Sequence, residues 1–165
     1  MKCPSCGKEM RAAKKDYRYE EAGLKNVVLR DTVVYECGCG EMLPELPQVG
    51  RLHQRIAEDL IGKQSPLTGE EFRFLRKAMG VSAKELARLL GVTTVTISRW
   101  ENNKEKIGAQ SDRLLRCLYL TRSKDLAASK VLKILADIMW GIAGRKPKTE
   151  PIFISSAPAR ERRVG

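Results

Sequence analysis

Residues 82–104 read SAKELARLLGVTTVTISRWENNK, and this stretch admits few packings. Two short helices that cross closely need a small residue where they touch, and Ala87 fits that position. The turn between them needs a residue tolerant of positive φ, which Gly91 supplies. The second helix must still bury one face, and Ile97 and Trp100 provide it, with Leu86, Leu90 and Val92 completing a small core. Thr94, Val95, Thr96, Ser98 and Arg99 are then divided between the edges of that core and solvent. A helix start carrying short polar side chains and one arginine suits a major groove. A helix–glycine–helix alone would describe a plain hairpin equally well. Ala, Gly, Ile and Trp at these offsets, inside a basic segment, favour nucleic-acid binding.

Start and stop signals extend the helical reading on both sides. Thr68 with Glu71, and Ser82 with Glu85, have capping-box spacing. Gly80 suits a left-handed helix end, Thr93 suits a cap, and Ser111 with Asp112 suits the opening of a further helix. Upstream, VGRLHQRIAEDLIGK puts Val49, Leu52, Ile56 and Leu60 on one helical face. Downstream, residues 123–144 carry Leu126, Val131, Leu132, Leu135, Ile138, Met139 and Ile142 as an apolar stripe. Its use is either packing on the helical body or dimerisation. The chain therefore divides into an N-terminal β module (1–47), a linker helix (48–66), a helix-turn-helix domain (67–122), a C-terminal helix (123–144) and a flexible basic tail (145–165). Within that tail, IFIS is also compatible with a short strand. The fold class is mainly α with a small zinc-stabilised β module at the N-terminus.

The net charge of +11 is unevenly spread. Residues 1–50 hold 8 basic and 8 acidic side chains, residues 51–123 hold 14 and 8, and residues 124–165 hold 9 and 4. Polyanion binding thus belongs after residue 50. No apolar run approaches the roughly 20 residues that span a bilayer. No apolar stretch precedes Cys3, so a cytoplasmic location is expected.

Four of the five cysteines lie in the first module, as Cys3-x-x-Cys6 and Cys37-Gly-Cys39. Two β-like runs, DYRYE and NVVLRDTVVYE, separate the pairs, and a hairpin of that length returns one pair to the other. Four thiolates with no open position describe one structural Zn²⁺ site. Such an ion also explains how about 45 residues with few large apolar side chains fold. With four thiolates it adds a charge of −2, which suits the module to protein rather than DNA. A thiol redox pair is the competing reading, but such a pair normally begins a helix after a strand. His53 is the sole histidine, expected to face solvent from the linker helix, and Cys117 reads as a small buried apolar residue. No nucleophile–base pair or carboxylate cluster points to an enzyme.

The segment from about Leu67 to Leu120, down to ISRWENNK, resembles the phage-repressor-like helix-turn-helix family of Xre or Cro/C1 type. The resemblance implies a five-helix lambda-repressor-like DNA-binding domain. It puts Thr94, Val95 and Arg99 on base-contacting positions, and Ala83, Thr93, Ser98, Asn102, Lys104 and Lys106 on the backbone-contacting surface. It also pairs Arg76 with Glu101 in a buried ion pair. Through CPSCG, DYRYE and YECGCGE, the whole layout resembles MqsA-type antitoxins with a YgiT-type zinc module, although that family usually has Cys-x-x-Cys as its second pair. That resemblance implies a homodimeric repressor on a palindromic double-stranded operator, whose zinc module holds an mRNA-cleaving ribonuclease toxin. The alternative is a regulator of the same build with no toxin, its module binding another protein or sensing metal.

Overall fold

The computed structural model describes residues 1–46, 48–122, 128–141 and 147–155. Strands β1 (Arg11–Arg18), β2 (Val27–Glu36) and β3 (Met42–Pro44) come first. Helices α1 (Val49–Gly62), α2 (Gly69–Ala78), α3 (Ala83–Leu90), α4 (Thr94–Glu101), α5 (Ala109–Arg122) and α6 (Ala128–Gly141) follow, and β4 (Ile152–Ser155) comes last.

The sheet is built on β2. β1 pairs with it antiparallel from Arg11↔Glu36 to Arg18↔Val28, with an irregularity between Lys15 and Tyr17. Across from that irregularity Asp31 takes a positive φ of 52°, and its amide donates to Asp16 Oδ1 at 3.3 Å. β1 begins five residues before the DYRYE run and ends at Arg18, because pairing with β2 sets its limits. β3 flanks the second half of β2 antiparallel, and β4 flanks its first half in parallel, Val27↔Ile152 to Arg30↔Ser155. A strand thus stands at 152–155, where a flexible basic tail is expected. Ile152 and Ile154 turn inward while Phe153 faces out, with the Arg30 guanidinium 4.1 Å from its ring centre. Residues 145–146 and 156–165 of that expected tail lie outside the described residues.

One apolar core joins the sheet to the helices. Tyr19, Leu24, Val27 and Leu29 from the sheet side pack with Leu52, Ile56 and Leu60 of α1 and with the helical body. α1 is therefore a core element rather than a linker, although Val49 is exposed and drops out of the predicted face. Cys3, Met10 and Cys37 form a small separate cluster with Tyr35 and Leu43 beside it.

Two buried ion pairs fasten α1 to the body. Lys63 Nζ meets Glu71 at 2.7 Å, and Glu71 also closes the capping box with Thr68. Arg116 is fully buried: its Nε donates to Asp112 Oδ1 at 2.7 Å, and its other nitrogens donate to the carbonyls of Leu60, Ile61, Lys63 and Ser65. Those carbonyls include ones that the end of α1 leaves without helical partners. α5 starts at Ala109, two residues before Ser111, and Asp112 lies in its first turn, where its Oδ2 also accepts from the Leu67 amide at 2.6 Å.

α6 packs on α1 and α5. Ile134 and Ile138 are buried, and Val131 and Leu135 pack at the edge of the core. Leu132 and Met139 of the predicted stripe are exposed instead, as is Trp140. Leu126 and Ile142 lie outside the described residues.

Candidate nucleic-acid interface and metal centre

α3 starts from a complete capping box, Ser82 accepting from the Glu85 amide at 3.2 Å and Glu85 from the Ser82 amide at 2.8 Å. Hydrogen bonding to the carboxylate from Ser82, from its side chain first and then from its amide, lowers the Glu85 carboxyl pKa. α3 ends on Gly91 at φ 67°, a conformation that carries a steric penalty for any residue with a Cβ. Two residues later the Thr93 hydroxyl accepts from the Thr96 amide at 3.1 Å and starts α4. Leu86, Ala87, Ile97 and Trp100 are buried between the two helices and α2, and Phe72 meets Trp100 edge-on at 5.7 Å.

The opposite side of α4 is open. Thr93, Thr94, Val95, Ser98 and Arg99 are exposed together along its first two turns. Arg99 lies 3.8 Å from Glu105, a surface contact. Lys104 and Lys106 are exposed on the following loop, and Ala83 is half-buried at the start of α3. Asn102 is exposed, but its amide is engaged: Nδ2 donates to the Ser98 carbonyl at 2.7 Å, and Oδ1 accepts from Arg73 Nη2 at 2.8 Å.

The angle of α4 is set from behind. Arg76 grips Glu101 with Nε to Oε1 at 2.6 Å and Nη2 to Oε2 at 3.0 Å, and its Nη1 donates to the Val81 carbonyl. Arg73 adds Nε to Glu101 Oε2 at 3.3 Å and Nη2 to the Glu101 carbonyl at 2.9 Å. The expected pair is thus a triad. Arg73 precedes Arg76 by three residues and so shares its helix face, which was the available signal. Gly69 permits the closest approach: a Cβ there would meet the Trp100 carbonyl oxygen at 2.3 Å. Its amide donates to Asn103 Oδ1 at 2.8 Å, with Asn103 itself at φ 54°.

At the other end, Cys3, Cys6, Cys37 and Cys39 bring their sulfurs within 4.8 Å of one another. Cys3 and Cys39 Sγ are 3.6 Å apart, Cys6 and Cys37 Sγ 3.4 Å, and all four are free thiols. Tetrahedral Zn–S bonds of about 2.3 Å put sulfurs about 3.8 Å apart, close to these separations, so the four thiols are a donor set that could hold one metal ion of the Zn²⁺ kind. Backbone turns hold each pair: Gly7 N to Cys3 O at 2.9 Å, with Gly7 at φ 73°, and Gly40 N to Cys37 O at 3.0 Å. Cys-x-Cys therefore supplies two converging sulfurs as Cys-x-x-Cys does. Cys3–Cys6 lies in a turn and begins no helix, unlike a redox dithiol. The Lys8 amide favours the Cys6 thiolate, yet the thiols of Cys37 and Cys39 outweigh it and push Cys6 up to about 12. A divalent cation bound here would replace those protons and let four sulfurs share one site.

His53 is not among these ligands and does not face open solvent. It is half-buried, its Nε2 3.0 Å from the Tyr19 hydroxyl and its ring edge-on to Phe74, and burial lowers its pKa. Cys117 is half-buried, and burial raises its thiol pKa.

The fold and site define a helix-turn-helix body carrying a separate four-thiol centre at the end of a sheet. The helix-turn-helix family matches residues 72–111, from within α2 to the first turn of α5. No curated protein and no solved structure matches the chain.

Proposed function

We propose that the chain is a sequence-specific DNA-binding transcriptional regulator acting as a repressor. Thr94, Val95 and Arg99 read bases, and Ala83, Thr93, Ser98, Lys104 and Lys106 lie along the phosphates. The observation that carries this reading is the division of α4: one face is locked to α2 by the Arg73–Arg76–Glu101 triad, and the other presents Thr94, Val95 and Arg99 uncovered. Arg99 can donate two hydrogen bonds to guanine O6 and N7, while the methyl groups of Thr94 and Val95 suit thymine. Asn102 serves first as a brace between α2 and α4, and its backbone role is indirect.

One α4 reads only a few base pairs, so the operator is palindromic and the working species is a homodimer in the cytoplasm. The four cysteines hold one structural Zn²⁺. That centre stabilises a near-neutral module for protein contact, which in the antitoxin reading is the seat of a ribonuclease toxin. The alternative regulator without a toxin uses the same module for another protein. Among the described residues no helix is long and apolar enough to cross a membrane.

Selection of bound duplexes from a random pool by the zinc-loaded chain, followed by mobility shift on the winning sequence, tests the proposal. A palindromic winner with guanine at a fixed place in each half-site is expected. Equal binding of every duplex would overturn base reading, and no shift at modest ionic strength would overturn DNA binding.

A further inference from the structure

α6 lies outside the region that matches the helix-turn-helix family, and among the described residues part of its apolar surface is uncovered. Its buried side, Ile134 and Ile138, faces α1 and α5. Its outer side carries Leu132 at 68 % exposure, Met139 at 57 % and Trp140 at 86 %. Ala136 is also exposed and lies at the middle of this face, one turn from Leu132 and one from Trp140. A contiguous apolar face of this kind on a helix marks an interaction surface.

We infer that this face is the seam of a homodimer, formed by α6 against α6 of a second copy in antiparallel order about a two-fold axis at Ala136. Two observations select that occupant. First, the face is self-complementary: the small Ala136 sits where two axes cross, and inversion puts Leu132 of one copy against Trp140 of the other. Second, the charges along one edge complement each other only in that order. Lys133 and Asp137 are one turn apart beside the apolar face, so antiparallel pairing sets each lysine near the other copy's aspartate. The inference rests on the DNA-reading proposal only for what the dimer is for. It sets two copies of α4 at a spacing dictated by a helix outside the helix-turn-helix.

Sedimentation of the full zinc-loaded chain without DNA tests the seam directly. A dimer is expected. Trp140→Glu and Leu132→Glu should each raise its dissociation constant by about 100-fold or more, with circular dichroism and metal content unchanged. Lys133→Glu should weaken the dimer, and adding Asp137→Lys should restore it. Trp140 emission should shift red on dilution, while buried Trp100 contributes a constant signal. A wild-type monomer at all concentrations would overturn the inference, as would a dimer that survives both glutamates. A monomer with blue-shifted Trp140 emission would mean that the chain covers the face itself, which also overturns it. A dimer lost on Trp140→Glu in a chain that shifts no duplex would uphold the seam and remove the DNA reading.

Discussion

Asp112→Ala is the sharpest test of how the molecule is held together. Asp112 and Arg116 are both fully buried, so the guanidinium keeps no water when the carboxylate is removed. It retains four backbone carbonyl partners, from Leu60 to Ser65, but no countercharge among them. Breaking a buried pair in this way costs about 3–5 kcal/mol. The Leu67 amide, which donates to Asp112 Oδ2, also loses its acceptor. For a chain of this size each kcal/mol moves the melting midpoint by about 2–4 °C, so a loss of roughly 6–20 °C is expected. Asp112→Asn keeps a carbonyl oxygen for the Leu67 amide and should fall between wild type and alanine. Glu105→Ala, which removes the exposed contact with Arg99, should change stability by less than about 1 kcal/mol. Urea unfolding of the three variants measures the differences. An Asp112→Ala protein no less stable than Glu105→Ala would refute the reasoning that Arg116 depends on its partner.

Three further outcomes follow from the site. Arg99→Ala should weaken operator binding by about 10- to 100-fold and leave random DNA nearly unchanged, whereas Lys106→Ala should weaken both alike and reduce the salt slope by about 1, each read by titration over a range of salt. Cys39→Ser should abolish stoichiometric zinc by elemental analysis and raise amide exchange around Met10 and Tyr35, because the small cluster there has few apolar contacts of its own. Burial lowers the His53 pKa, so the unfolded chain, titrating near 6.5, binds more protons than the folded one below that pH. The stability His53 contributes is therefore complete above about 6.5 and is lost as pH falls through the lower folded value. An NMR titration of this single histidine should place its midpoint below 6.5, and His53→Gln should flatten that part of the stability profile.

Signals that act within one turn of chain were legible in the sequence. Thr68 with Glu71, Ser82 with Glu85, the cap at Thr93 and the left-handed Gly80 and Gly91 all appear where their spacing put them. Each is a bond or a steric limit between residues at most four apart, which needs no knowledge of the rest of the fold. The four cysteines were legible for a related reason, since a closed thiol set needs only a return of the chain between its pairs.

What the tertiary structure decided are the relations between distant segments. Asp112 stands in the first turn of α5, as its position suggested, but it is also the countercharge of Arg116, which reaches back to carbonyls more than fifty residues earlier. IFIS acquired a place only because β1 and β3 leave the first half of β2 open on one side. The outward turn of Leu132, Met139 and Trp140 was hidden because periodicity reports that a helix has an apolar stripe, not which part of that stripe its neighbours cover. Hydrogen bonds along one turn are set by local sequence; partners across the core are set by the shape of everything folded between them.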